Sequence, residues 1–420
     1  MATAAEPSRA LWRHLDFRRL WLATSVSQLG TQVSELAIPL TALTVLHADA
    51  LQVGVLAAAG YLPLTLFGLP AGAWVDRVPR RRVLLTTDLA RALVLASVPA
   101  ASALGHLTMT QLWIVALLVG ALSVLFDVAY TAYLPALVDR TQLARANSRL
   151  QVSEQAAAVV GPGLAGWLIG LVGAPIAIAT DAASYLGSAA FIGRIRHREP
   201  EADATTTRPP LRTQVAEGLR FVLADRQLRA IALAAGIVNL FGRMVVVVVL
   251  IYLVRSGGYS AGAIGLVFAL GAIGFLIGAA TADRVIERLG LGRAIVSGGC
   301  VAAGAFVLFA LPPTSLAGPF IAAGMFVYGV GALTFTVGNA TLRQLTTPAE
   351  ILGSVTSSMR LLVWIAQPFA ALLAGVLASR IGLHATLWVG ALGALTAPIV
   401  LLGSGLASAR GTIYELEQAG

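Results

Sequence analysis

Lysine is absent from this 420-residue chain and cysteine occurs once, as Cys300. The single thiol excludes an intramolecular disulfide and leaves no cysteine-based metal centre. Arginine alone therefore carries the basic side of a formal charge of +9, a bias of usage with no bearing on mechanism. Charge of either sign is scarce, at 12% of residues against roughly 25% in soluble domains. The basic residues form short clusters between apolar runs, neither one patch nor interleaved with aromatics, so no nucleic-acid partner is expected. A GxxxxGK[ST] loop is missing, which argues against nucleotide hydrolysis as an energy source. The five histidines, His14, His47, His106, His197 and His384, lie scattered without HExxH spacing, so neither a metal nor another cofactor is expected. Nothing in the pattern predicts an enzyme.

What is present is apolar length. Hydrophobic residues make up 57% of the chain and the mean hydropathy is +0.82, more than a water-soluble core of this size can hide. Runs of about 20 residues, each enough to cross roughly 30 Å of hydrocarbon, predict spans near 20–46, 51–75, 83–104, 109–134, 146–171, 174–193, 230–254, 260–281, 294–312, 317–340, 352–378 and 384–404. Without strand-like alternation these can only be helices. The first run lacks a small-residue cleavage site and reads as a retained span, not a signal peptide. Arginine-rich connections such as Arg77 to Arg82, Arg140 to Arg149 and Arg284 to Arg293 alternate with loops holding only Arg255 and Arg380. The positive-inside rule then puts both termini in the cytoplasm and predicts a multi-pass protein of the cell membrane.

A polar stretch containing EPEADATTTRPP divides the spans six and six. The expected organisation is an N-terminal bundle over 1–194, a cytoplasmic linker over 195–229 and a C-terminal bundle over 230–420. A repeat supports the division: Asp76-Arg77 recurs as Asp283-Arg284 after 207 residues, and Pro162 recurs as Pro368 after 206. The fold class is therefore all-α membrane, with twelve transmembrane helices in two pseudo-symmetric six-helix bundles.

The run GAWVDRVPRRR, from Gly72 to Arg82, resembles the signature between the second and third helices of the major facilitator superfamily. Gly72 would allow close helix packing, and Asp76 could face the positive end of a helix. Pro79 stands where the family usually has glycine. Further stretches, LPALVDRTQLARANSRLQ, DAASYL and LTTPAEILGSVTSSMRLLVW, resemble the drug:proton antiporter branch that includes macrolide-efflux proteins and enterobactin exporters. GPGLAG, with Gly161, Pro162, Gly163 and Gly166, resembles the antiporter motif of the fifth helix, although Ala165 replaces one usual glycine. Physically it is a glycine-lined, proline-perturbed surface suited to packing against the other half.

Ionisable groups inside a span cost about 2.5–3.5 kcal/mol each on insertion scales. The superfamily arrangement implies that helices 1, 4, 7 and 10 line a central cavity, which marks Glu35 as the proton-coupling candidate, since a carboxyl held away from bulk water can take up and release a proton. A structural hydrogen bond or ion pair is the competing reading. Arg243, at comparable depth in the seventh helix, could pair with Glu35 as an outer gate, bind an anionic substrate group, or merely fill a polar contact. Glu154 and Arg360, 206 residues apart, are gate or cavity charges or a structural pair. The resemblance implies a conformational switch built from Gly72, Asp76, Arg77, Arg80, Arg81 and Asp127. Asp88 and Arg91, three residues apart on one helix, read as an internal ion pair, and Asp181 as a packing or capping residue. Gln28, Tyr130, Asn239, Tyr328, Asn339, Trp364 and Gln367 are candidates for contact with an amphipathic ligand.

The resemblance implies an exporter of small amphipathic molecules, of drug, antibiotic or siderophore type, working by proton antiport and alternating access. Its partners would be that substrate, protons and the lipid bilayer; oligomeric state is not readable, and a monomer is compatible with the sequence. Symport or lipid translocation by the same fold, or a sensor that carries nothing, are the alternatives.

Overall fold

Hydrocarbon offers no water to backbone N–H and C=O groups, so each apolar run has to close its own hydrogen bonds. The computed structural model describes residues 11–12, 14–68, 70–75, 77–197, 211–311, 316–348 and 350–408, and these contain helices and no strand. Asp76 and the EPEADATTTRPP stretch lie outside the described residues.

The helices are α1 (Leu15–Thr44), α2 (Ala50–Phe67), α3 (Pro70–Val75), α4 (Arg80–Ala103), α5 (Met109–Leu137), α6 (Arg140–Val172), α7 (Ala174–Gly193), α8 (Leu211–Ala224), α9 (Arg226–Arg255), α10 (Ala261–Leu289), α11 (Leu291–Ala305), α12 (Val307–Ala310), α13 (Ala317–Thr346), α14 (Leu352–Ile381), α15 (Leu383–Ala394) and α16 (Thr396–Gly403). Polar residues start several of them. Thr108 accepts from the Gln111 amide, Ser260 from that of Ala263, and Asp225 from those of Gln227 and Leu228 at 2.9 and 2.7 Å, satisfying donors that a helix leaves open at its start.

Three expected spans are interrupted. The second breaks between α2 and α3 beside Pro70, which lacks the N–H a continuing helix needs; the ninth is α11 plus α12, and the twelfth α15 plus α16. The expected linker is also not all irregular, since α8 lies within it and α9 begins at Arg226. Gly173 ends α6 at φ +84° and Gly382 ends α14 at φ +86°, 209 residues later. Both adopt a backbone region open mainly to glycine, so the sharp turn after the fifth and eleventh spans is a further trace of the repeat.

Among the described residues, eleven spans are long and apolar enough to cross a membrane. The first span, α1, has the length, 30 residues or about 45 Å, but not the apolarity, because Gln28, Thr31, Gln32, Ser34 and Glu35 interrupt it. Elsewhere large apolar side chains such as Leu93, Trp167, Phe369 and Ile399 are exposed, as a lipid-solvated surface requires.

Chain contacts separate two units: Met1–Ala48 with Ala59–Thr207, and Asp49–Ala58 with Arg208–Gly420. In unit 1, α1 packs on α6 and α7, and α4 on α5 and α7. Phe17, Leu20, Leu84, Phe126, Tyr133 and Ile192 are part of its core. Asp16, in the first turn of α1, accepts from Arg19 at 2.7 Å and from the amides of Arg196 and His197. Partial burial pushes its carboxyl up, but the donors from Arg196, Arg19 and His197 outweigh this and hold it below the usual aspartate value.

In unit 2, α10 lies along α13, which also carries α11, while α9 packs on α14 and α15. Glycine makes the first of these contacts possible. A β-carbon at Gly278 would lie 2.9 Å from the Gly329 oxygen, and one at Gly329 would lie 2.6 Å from the Phe275 amide. Van der Waals contact between backbones replaces the hydrophobic drive that lipid cannot supply.

Candidate transport sites

The polar residues of α1 recur at helical spacing, so one stripe of the helix carries Trp21, Gln28, Gln32 and Glu35. The stripe faces α6 in unit 1: Trp21 Nε1 donates to Ser153 Oγ at 2.8 Å, and Gln32 packs on Gly161 so closely that a β-carbon there would overlap it. The glycine surface of the GPGLAG run was expected to meet the other half; at Gly161 it meets α1 of its own unit. The Gln28 side-chain oxygen is buried without a hydrogen-bond partner. Glu35 is exposed and within electrostatic reach of Asp181 on α7.

Asp127 and Tyr130 on α5 lie within electrostatic reach of Glu154 on α6. Asp127 also feels Arg91 of α4. Both Asp127 and Glu154 are exposed, and Tyr130 stacks on Phe126 with 6.3 Å between ring centroids. Three residues singled out separately in the sequence thus form one group.

Within the signature run, Arg81 donates to the carbonyls of Ile192 and Gly193, the latter at 2.6 Å. It thereby holds the C-terminal end of α7, where carbonyls lack helical partners. Arg77 is exposed and Arg80 half-buried. Gly72 does not serve a close helix contact: a β-carbon there meets nothing within 4 Å among the described residues. Gly163 is half-buried, as is Pro162, and Gly166 buried.

Unit 2 encloses a cavity of about 180 Å³ lined by residues that include Asn239, Tyr328, Phe335, Asn339 and Val363. Asn239 donates to the Ala235 carbonyl at 2.9 Å. The Asn339 side-chain oxygen is buried and accepts nothing. Tyr328 packs against Phe306 and Phe275, at 5.2 and 5.8 Å, and feels the charge of Arg243. Arg243 donates to Gln367 at 3.3 Å. Five of the expected ligand and gate residues, Asn239, Arg243, Tyr328, Asn339 and Gln367, are therefore linked within unit 2 by the cavity and these two contacts. Trp364 and Arg360 do not line the cavity. Arg360 is exposed and acts electrostatically on Arg343, a half-buried arginine that was not singled out in the sequence. A larger hollow of about 490 Å³ between α4 and α5 is open and apolar, lined by residues such as Leu93, Ile114 and Leu118. It holds no charged group, and transport chemistry is better placed where polar groups converge.

This constellation has no nucleophile with a base and, among the described residues, no group of metal ligands. It can bind an amphipathic molecule against rings and amides and can hold protons on carboxyls. A family model described as transmembrane secretion effector matches residues 7–412. The chain belongs to this family, within the major facilitator superfamily. It is 30% identical over 368 residues to the multidrug efflux pump Tap of Mycolicibacterium fortuitum, covering 85% of this chain and 87% of that protein. It is 29% identical over 394 residues to Tap of Mycobacterium tuberculosis, covering 91% and 90%. The fold is that of the crystal structure of the nucleoside transporter NupG, with TM-score 0.74, 11% identity and coverage of 93% of this chain and 98% of that one. It is equally that of a bacterial homologue of the iron transporter ferroportin in the inward-facing state, with TM-score 0.71, 20% identity and coverage of 94% and 99%. At such identities the likeness shows the superfamily fold alone. This secretion-effector chain is thus a multi-pass membrane transporter of a small molecule, and its family and relatives are transporters rather than enzymes.

Proposed function

We propose that the chain is a proton-driven exporter of small amphipathic molecules in the cell membrane, both termini in the cytoplasm. The observation that carries the direction of transport is end-to-end similarity to proteins named multidrug efflux pumps. The chemistry of the cavity in unit 2 supports the substrate class: rings for an apolar body, and an unsatisfied Asn339 oxygen for a single donor. About 180 Å³ is less than the roughly 300–1,000 Å³ of a drug-sized site, so this cavity takes part of the ligand.

In this reading residues 1–194 and 230–420 are the two bundles and 195–229 joins them, and a monomer is compatible with it. Glu35 exchanges the proton, Arg243 answers its charge at the outer gate, and Asp127 with Arg80 switches the cytoplasmic side. Inward proton movement drives substrate out; each elementary charge contributes about 2.3 kcal/mol per 100 mV.

Inside-out vesicles carrying the chain test this with ethidium as an amphipathic probe. An imposed inside-acid gradient should produce ethidium accumulation and be dissipated by it, and Glu35→Gln should abolish the coupling. Accumulation that survives collapse of the gradient defeats proton coupling, and movement only in the opposite direction defeats export.

A further inference from the structure

The core of unit 1 holds a group of charges that the exporter reading above does not use. Asp88 and Arg91 on α4 form an ion pair buried to 0% and 4% exposure, and Asp181 on α7 is 1% exposed. Arg91 is held on both faces and at both amino groups, while its Nε is buried without a hydrogen-bond partner among the described residues. Its guanidinium carbon lies 4.3 Å from the centre of the Phe126 ring and 4.1 Å from that of Tyr185, one amino group reaches Ser123 and the other Asp88. Rings on such a cation fix its place. Among the described residues Asp181 makes no ion pair; its Oδ1 accepts from Ser184 at 3.0 Å. Among the described residues its other oxygen is buried with no partner at good hydrogen-bond geometry, and the hydroxyl of Ser34 on α1, itself without such a partner, is near enough to act on the carboxyl as a weak donor. The same holds for Asp88 Oδ2 and Ser188 Oγ. Gly30 of α1 approaches Asp181 with no room for a side chain.

Charge decides what this geometry binds. The groups that face Asp181 are Arg91 from α4, Glu35 from α1, Ser34, Ser184 and the Tyr185 hydroxyl. Arg91 also feels Asp127 from α5. One guanidinium can offset one carboxylate, and Asp88 already occupies it. A second carboxylate ionised at this depth would be a buried charge without a counter-charge, which a low-dielectric interior strongly disfavours. A proton removes that cost.

We propose that Asp181, set against the Asp88–Arg91 pair, is the internal proton-binding site of unit 1, and that Glu35 is its mouth. Binding forms one O–H bond on Asp181 Oδ2 and gives Ser34 Oγ a donor; release restores the carboxylate. With the proton the Asp88, Arg91 and Asp181 group is neutral, and without it the group carries one negative charge. Glu35, exposed and electrostatically coupled to Asp181, passes the proton between this group and the aqueous side. Asp181 was expected from the sequence to be a packing or capping residue; the proposal gives it the proton, and it rests on the proton-coupled reading for its role in transport but not for the binding itself.

Two measurements on the full chain separate these claims. Infrared difference spectra of detergent-purified protein, taken from alkaline to acid pH without substrate, record the carbonyl stretch that a carboxyl shows only when protonated. One buried carboxyl band per chain is expected, retained in Glu35→Gln and lost in Asp181→Asn. Persistence of the band in Asp181→Asn overturns the proposal, and so does its loss in Glu35→Gln alone. Should Asp181→Asn fail to fold, Asp181→Glu must shift the band, and an unshifted band overturns the proposal equally. In proteoliposomes a one-unit pH gradient supports at most about a tenfold ethidium ratio per proton exchanged. Asp181→Asn should bring that ratio to one, and a wild-type ratio overturns the coupling role. Wild-type protein that moves no ethidium counts against the export reading, and the infrared bands then decide the site alone.

Discussion

The two units spend polarity differently. In unit 1 the buried polar residues include Asp88, Arg91 and Asp181, joined to serines and rings of α1, α4, α5 and α7. Among the described residues of unit 2 the buried polar side chains are Thr334, Thr347, Ser358, Thr386 and Ser404, none of them charged, and the helices are drawn together by glycine. One half of the fold is organised around a fixed charge, the other around backbone contact and an uncharged cavity. In the proposed mechanism, which builds on this contrast, unit 1 handles protons and unit 2 most of the substrate's surface.

The largest effect that would sharpen this contrast is removal of its charged centre. Arg91→Met leaves Asp88 buried without its partner and should cost about 3–5 kcal/mol of stability, read as loss of folded protein in detergent or a lowered Tm. Asn239→Ala in unit 2 should shift Tm far less, since its uncharged side chain donates to the Ala235 carbonyl of its own helix; equal losses would break the comparison. Next comes the glycine contact. Gly278→Val would drive side-chain atoms into Gly329 and Val330 of α13 and should cost about 1–3 kcal/mol, as overpacking does. Gly72→Ala, facing open space, should be near neutral in thermal unfolding.

Much of this fold was legible because lipid leaves the chain few options. Run length gave the twelve spans, and arginine clusters and repeated dipeptides gave the division into halves. The breaks beside Pro70, at Phe306 and at Leu395 were not legible, because an apolar run reads the same whether its helix is continuous or kinked. Asn239, Tyr328 and Asn339 could be chosen by type and by helix number. Their convergence on one cavity could not, since it depends on which face each helix turns inward. The Asp88–Arg91 ion pair was legible from its three-residue spacing and is present; the nearness of Asp181 was not, because only the approach of α7 to α4 and α1 brings a second carboxyl within reach of that guanidinium.

Smaller effects test the cavity and the cytoplasmic edge. Asn339→Ala should weaken binding of ligands with a hydrogen-bond donor by about 1 kcal/mol, measured as Kd in detergent, and leave donor-free ligands unchanged; uniform weakening would mean the side chain only shapes the cavity. Asp16→Asn should be mild as well. Its carboxyl is held below its unfolded value of 3.8, so its contribution, about 1 kcal/mol or less, is full above that pH and fades as pH falls through the folded value. Melting curves of wild type and variant should therefore differ at pH 7 and converge in acid.

The polar interruptions of α1 also bear on how the chain reaches its membrane. A segment carrying Gln28, Gln32 and Glu35 partitions poorly by itself on an insertion scale, whereas α2, which follows after a short turn, is apolar enough to cross alone. Biogenesis then favours entry of the two as a helical hairpin, with α2 carrying α1 into the lipid.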